Sequence, residues 1–139
     1  MILGVLAATA LPKFMDLRQD AALASLKGIE GSVRSASQLA NAKCQMVSTC
    51  NSSALSSQAV IDGRSMWMIY GWPEAGDRLG QDQIDMLVNS SGFTLSLPDY
   101  MTHRWTLTSA RTPSQCYLDY QHPMAAGALP VITTVTTGC

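Results

Sequence analysis

A chain of 139 residues with 47% apolar and 14% charged residues has the length of one domain with a real core, and is no disordered polyelectrolyte. Its net charge of −1 leaves no basic excess to neutralise phosphates, so charge suggests neither nucleic acid nor an anionic membrane surface as a partner. At 6% aromatic it is too poor in rings for a base-stacking platform.

The chain opens on an apolar run, Ile2-Leu3-Gly4-Val5-Leu6-Ala7-Ala8-Thr9-Ala10-Leu11, with no charge before Lys13. A bilayer span needs about 20 apolar residues, so the run alone is too short. Met1 is followed directly by it, without the basic stretch and cleavage site of a secretory signal. Read from residues alone, it is a buried core helix or the end of a longer apolar helix. Pro12 removes a hydrogen bond from the preceding turn, and Gly4 adds a second weak point.

Beyond Pro12 the pattern becomes amphipathic. Ala22, Leu26, Ile29, Val33, Ala36 and Leu39 recur at steps of three and four, the spacing of one helix face. Arg18, Asp20, Lys27, Glu30, Arg34 and Lys43 fall mainly off that stripe. One helix is therefore predicted from about Ile2 to about Ala42, longer than a typical globular helix. It divides into an apolar part, residues 2–14, and an amphipathic part, residues 15–43. A globular head over residues 44–139 follows.

The head begins with residues 45–57, rich in Ser, Thr and Asn, which suit a loop. Strands are predicted over residues 64–70, 94–97, 103–108 and 115–120, and over 130–137 on its Val, Ile and Thr content. Residues 81–88 read as a short helix. Short linkers favour antiparallel pairing. Trp67, Ile69, Leu95, Leu97, Trp105, Leu107 and Leu118 are the candidate sheet residues beneath the helix. Leu26, Ile29, Val33 and Leu39 are the helix's side of that core.

Cysteines stand at 44, 50, 116 and 139. The even count and wide spacing suit disulfides better than zinc, which wants close ligand pairs with histidines nearby. Four cysteines allow three pairings. The local ones, Cys44–Cys50 and Cys116–Cys139, are expected, and with them an extracytoplasmic compartment.

Three stretches carry a family resemblance. Ile2 to Phe14 is similar to the end of the hydrophobic N-terminal segment of type IV pilins. The Gly4-to-Pro12 interval matches that family's glycine-to-proline interval, and Arg18 and residues 21–24 continue as such helices do. Tyr70-Gly71-Trp72-Pro73 resembles a motif of pilins of the mannose-sensitive haemagglutinin (MSHA) type. Cys116-Tyr117-Leu118-Asp119-Tyr120 with the terminal Gly138-Cys139 resembles their disulfide-bounded C-terminal segment. The resemblance implies an α+β fold, a long N-terminal helix packed on an antiparallel sheet. It implies a type IVa, MSHA-like filament subunit for attachment or motility, not an enzyme. Self-association would run through Ile2, Leu3, Gly4, Val5, Leu6, Leu11, Pro12 and Phe14. The full-length form would sit in the inner membrane before assembly and afterwards in an extracellular pilus. The family's methylated first phenylalanine and the glutamate after it would lie ahead of Met1, so the chain reads as a pilin lacking about ten apolar residues. Two other readings share some of these features. One is a type II secretion pseudopilin; the other is a secreted module binding glycan or another surface ligand.

No catalytic constellation stands out. His103, beside Arg104 and Trp105, reads as a strand-surface residue, and His122 is solitary. Asp82 and Asp85 read as a solvated helix face, and Asp77-Arg78 lacks the repeated acids of an EF-hand loop. No serine lies in Gly-x-Ser-x-Gly, and there is no phosphate loop or dinucleotide fingerprint. No cofactor or metal is expected. Asn51-Ser52-Ser53 and Asn89-Ser90-Ser91 match the glycosylation sequon but read as polar turns. Phe14 is the single aromatic of the predicted helix, so no aromatic stripe supports electron transfer.

Overall fold

The computed structural model describes residues 3–76 and 82–139; within the helix, side chains are described from Lys13 onward. The fold is α+β. A 44-residue helix, α1 (Leu3–Met46), runs unbroken through Pro12, and at 1.5 Å per residue it is roughly 66 Å long. Lys43 sits in its last turn, where a cation complements the helix dipole. Among the described residues no helix is long and apolar enough to cross a membrane.

The head holds two antiparallel sheets rather than one. The first is β1 (Ser57–Ile61), β2 (Arg64–Ile69) and β3 (Trp72–Pro73), in that order. The second is β4 (Phe93–Asp99), β5 (Thr102–Leu107), β6 (Tyr117–Gln121) and β7 (Val131–Val135), also in chain order. Two tight hairpins build the first sheet. Asp62 and Gly63 turn between Ile61 and Arg64, and Tyr70 and Gly71 between Ile69 and Trp72; all four have positive φ. That is the two-residue turn whose twist matches the flanking strands. Asn41 of α1 fixes the second turn by donating from Nδ2 to the Gly71 carbonyl at 2.7 Å. The register of β4 against β5 shifts between Ser96 and Asp99, around Pro98 on the sheet's edge.

The helix covers both sheets with different stretches. Ala22, Leu26, Ile29 and Val33 pack with Trp105, Leu107, Leu118 and Tyr120 of the four-stranded sheet. Ala40 and Cys44 pack with Ala59, Met66 and Met68 of the three-stranded one. The buried line is thus Ala22, Leu26, Ile29, Val33, Ser37, Ala40 and Cys44. Leu39, expected in the core, is 72% exposed. Two steps of three from Val33 fall about 120° off the stripe, whereas a step of four and one of three return to it. Ser37 takes the place by donating its hydroxyl to the Arg34 carbonyl at 2.9 Å, so its polarity is satisfied within the helix.

Trp67, also expected in the core, is 42% exposed. Strand alternation points Met66 and Met68 at the helix and leaves Trp67 on the opposite face, across from Gln58. The predicted helix over 81–88 is a single 3-10 turn, Ile84–Leu87. Asp82 lies outside it with φ 55°, while Asp85 is buried. The two therefore share no solvated face. Ser57–Ile61, not anticipated as a strand, is β1.

Candidate functional site

From Lys13 to Ala21 every residue of α1 is exposed, and Ala22 is the first buried one. Phe14 is 65% exposed, Leu17 63%, and Met15 is also exposed. Three large apolar side chains thus stand in water on one helical stretch, beside Asp16, Arg18 and Gln19. Burying such side chains contributes roughly 1.5–3 kcal/mol each, so this stretch gains from meeting another apolar surface. Among the residues expected to assemble, Phe14 is exposed. Ile2 and the side chains of Leu3, Gly4, Val5, Leu6, Leu11 and Pro12 lie outside the described residues.

Where the helix meets the head, a cleft of about 710 Å³ opens. Its helix wall includes Met15, Arg18 and Ala22; its head wall includes Ala110, Arg111 and Cys139. The head wall is a stapled structure. Cys116 and Cys139 are bonded with Cα atoms 4.9 Å apart. Gly138 donates to the Gln115 carbonyl at 2.8 Å and accepts from the Thr112 amide at 2.9 Å. A Cβ on Gly138 would collide with the Thr112 carbonyl oxygen, so only glycine fits between the clamp and the disulfide. The other staple, Cys44–Cys50, ties the end of α1 to the loop after it. Both expected pairings are present, and no cysteine is free.

The histidines lie elsewhere. His103 has no exposed surface at all, against the expectation of a strand-surface residue. Alternation explains it: residues 103, 105 and 107 share one face of β5, and Trp105 and Leu107 face the core. The parity of Trp105 was a signal already present in the sequence. His103 Nδ1 accepts from the Gly76 amide at 3.3 Å, and its Nε2 lies 3.6 Å from Asp85 Oδ1. Burial lowers its pKa more strongly than Asp85 raises it. His122 Nδ1 accepts from the Ala75 amide at 3.1 Å, and burial lowers its pKa too.

On the outer face of the four-stranded sheet, Arg104 donates to both carboxylate oxygens of Asp119 at 2.7 Å and lies 3.7 Å over the Tyr117 ring. Asn51 and Asn89 each accept from the amide two residues on, at Ser53 and Ser91, forming local turns. Among the described residues no group of three His, Cys, Asp or Glu side chains could hold a metal ion. Asp77 and Arg78 lie outside the described residues. No family model, curated protein or solved structure gives a significant match to the chain.

Proposed function

We propose that the chain is the structural subunit of a type IVa pilus-like filament, of MSHA-like kind, serving surface attachment or motility. One observation carries the reading. A single helix packs its later residues, Ala22 to Cys44, against the head, while residues 13–21 stay exposed with Phe14, Met15 and Leu17 in water. A helix built for its own head alone would begin near Ala22. The exposed part is suited to packing with the helices of neighbouring copies, where burial and close contact drive association. The two disulfides fit a head that works outside the cytoplasm. Residues 70–73, the second hairpin turn and β3, give the Tyr-Gly-Trp-Pro resemblance a structural role, since Asn41 of the helix holds that turn.

In this reading the partners are other copies of the subunit, with the inner membrane as the subunit's site before assembly. Mechanism lies in assembly rather than turnover. The test is to shear surface filaments from cells that make the protein and to identify their subunits by mass spectrometry. Head peptides recovered in stoichiometric amount support the filament reading. Recovery instead from a periplasmic secretion complex favours a pseudopilin. A chain found only as a soluble monomer that binds glycan removes both.

A further inference from the structure

Residues 72–76 link the two sheets, and three side chains of the four-stranded sheet and its flank hold them. The Tyr120 hydroxyl donates to the Pro73 carbonyl at 2.9 Å. His122 Nδ1 receives the Ala75 amide proton, and His103 Nδ1 receives that of the next residue, Gly76. The strap is pressed close at its end. Gly76 has φ 95°, and a Cβ there would collide with the Tyr100–Met101 backbone. Two consecutive backbone amides thus depend on two imidazoles as acceptors.

An imidazole accepts at Nδ1 only when that nitrogen carries no proton. Both rings must therefore be neutral, with the proton on Nε2. For His103 this aims the Nε2 proton towards Asp85 Oδ1. Adding a proton at Nδ1 would set an N–H against an N–H and break each bond. Among the described residues the charged groups around the strap are Asp85 on the 3-10 turn, Asp99 at the end of β4, and Glu74 on the strap itself. Asp85 and Asp99 favour the protonated rings at His103 and His122 respectively, and burial opposes them at both. Arg104, next in sequence to His103, lies on the other face of the sheet and is paired with Asp119.

We propose that residues 72–76 form an acid-released latch between the two sheets, held at neutral pH by the neutral imidazoles of His103 and His122 and opened when either gains a proton. Release frees Ala75 and Gly76 from the four-stranded sheet, while the Tyr120–Pro73 bond, the helix and the strands stay in place. In a surface protein this gives a local opening that follows the acidity of the medium.

The experiment is amide exchange read residue by residue on the whole chain, corrected for intrinsic rates, at about pH 7.5 and about pH 5, either side of the ordinary histidine pKa. Protection at Ala75 and Gly76 should fall by about tenfold or more on acidification and should lie well below that at Val33 in the helix core at both pH values, because the strap opens without global unfolding. Nitrogen-15 spectra at neutral pH should show Nδ1 bare and Nε2 protonated in both rings. In a His103→Asn, His122→Asn double variant, the side-chain oxygen stands near the place of Nδ1 and does not titrate. Its strap protection should be the same at both pH values. Unchanged protection in the wild type, strap protection equal to that at Val33 at about pH 5, or a proton on either Nδ1 at neutral pH overturns the proposal. Wild-type protein alone decides these points if the variant does not fold.

Discussion

The Tyr120 hydroxyl donates to the Pro73 carbonyl at 2.9 Å inside the core, joining an inner strand of the four-stranded sheet to the edge strand of the other. Burial pushes the phenol far above its ordinary pKa, so it remains a donor at any pH at which the protein is folded. Tyr120→Phe keeps the ring and removes the bond. The expected cost is about 1 kcal/mol, with a lower urea midpoint and an unchanged slope. An unchanged midpoint would mean that this bond adds nothing to the hold between the two sheets.

The helix stripe predicts a contrast between two leucines. Leu26 is buried against the four-stranded sheet and Leu39 faces solvent. Leu26→Ala should cost about 2–5 kcal/mol, and Leu39→Ala less than about 0.5 kcal/mol. Urea denaturation of the two variants checks this. Equal losses would place Leu39 in the core after all.

The disulfides should differ in weight. Cys116 and Cys139 are 23 residues apart in sequence, Cys44 and Cys50 only 6. Chain-entropy arguments give roughly 3 kcal/mol for the longer loop and roughly 2 for the shorter. Replacing each pair by serines should therefore lower the Tm more for Cys116–Cys139. Calorimetry of the two double variants measures the order, and the reverse order would show that native-state packing around Cys44 outweighs loop closure.

Stability should fall on mild acidification. His103 and His122 both have folded pKa values below the ordinary value of about 6.5. The unfolded chain then binds more protons than the folded one in that range, so stability is full above about pH 6.5 and is lost as pH falls towards and through the folded values. Urea midpoints should decline between about pH 7 and about pH 5, and the asparagine double variant should flatten that decline.

Much of the fold is legible in the sequence where pattern and burial coincide. The long helix, the strands over residues 64–69, 102–107, 117–121 and 131–135, and the local disulfides all follow from periodicity, β-branched runs and cysteine spacing. Misreadings occur where a polar residue does core work or an apolar one does not. Ser37 hides the true stripe and Leu39 simulates it. Trp67 looks like an anchor by size, but the parity of Met66 and Met68 sets its face. β1 hides because its first residue ends a Ser- and Asn-rich loop, although Asp62-Gly63 is a hairpin signal. The strap is invisible in sequence. It joins residues 75 and 76 to 103 and 122, and no local pattern reports contacts over such separations.

The proposed filament requires the exposed stretch of α1 to pack against other copies of the subunit. A photo-crosslinking residue placed at Phe14 in the intact protein, activated on cells, tests it most directly. Filament packing gives a ladder of subunit multimers in sheared surface filaments, with the cross-links mapping to α1 of neighbouring copies. A single uncross-linked species, recovered only from the medium, would contradict it.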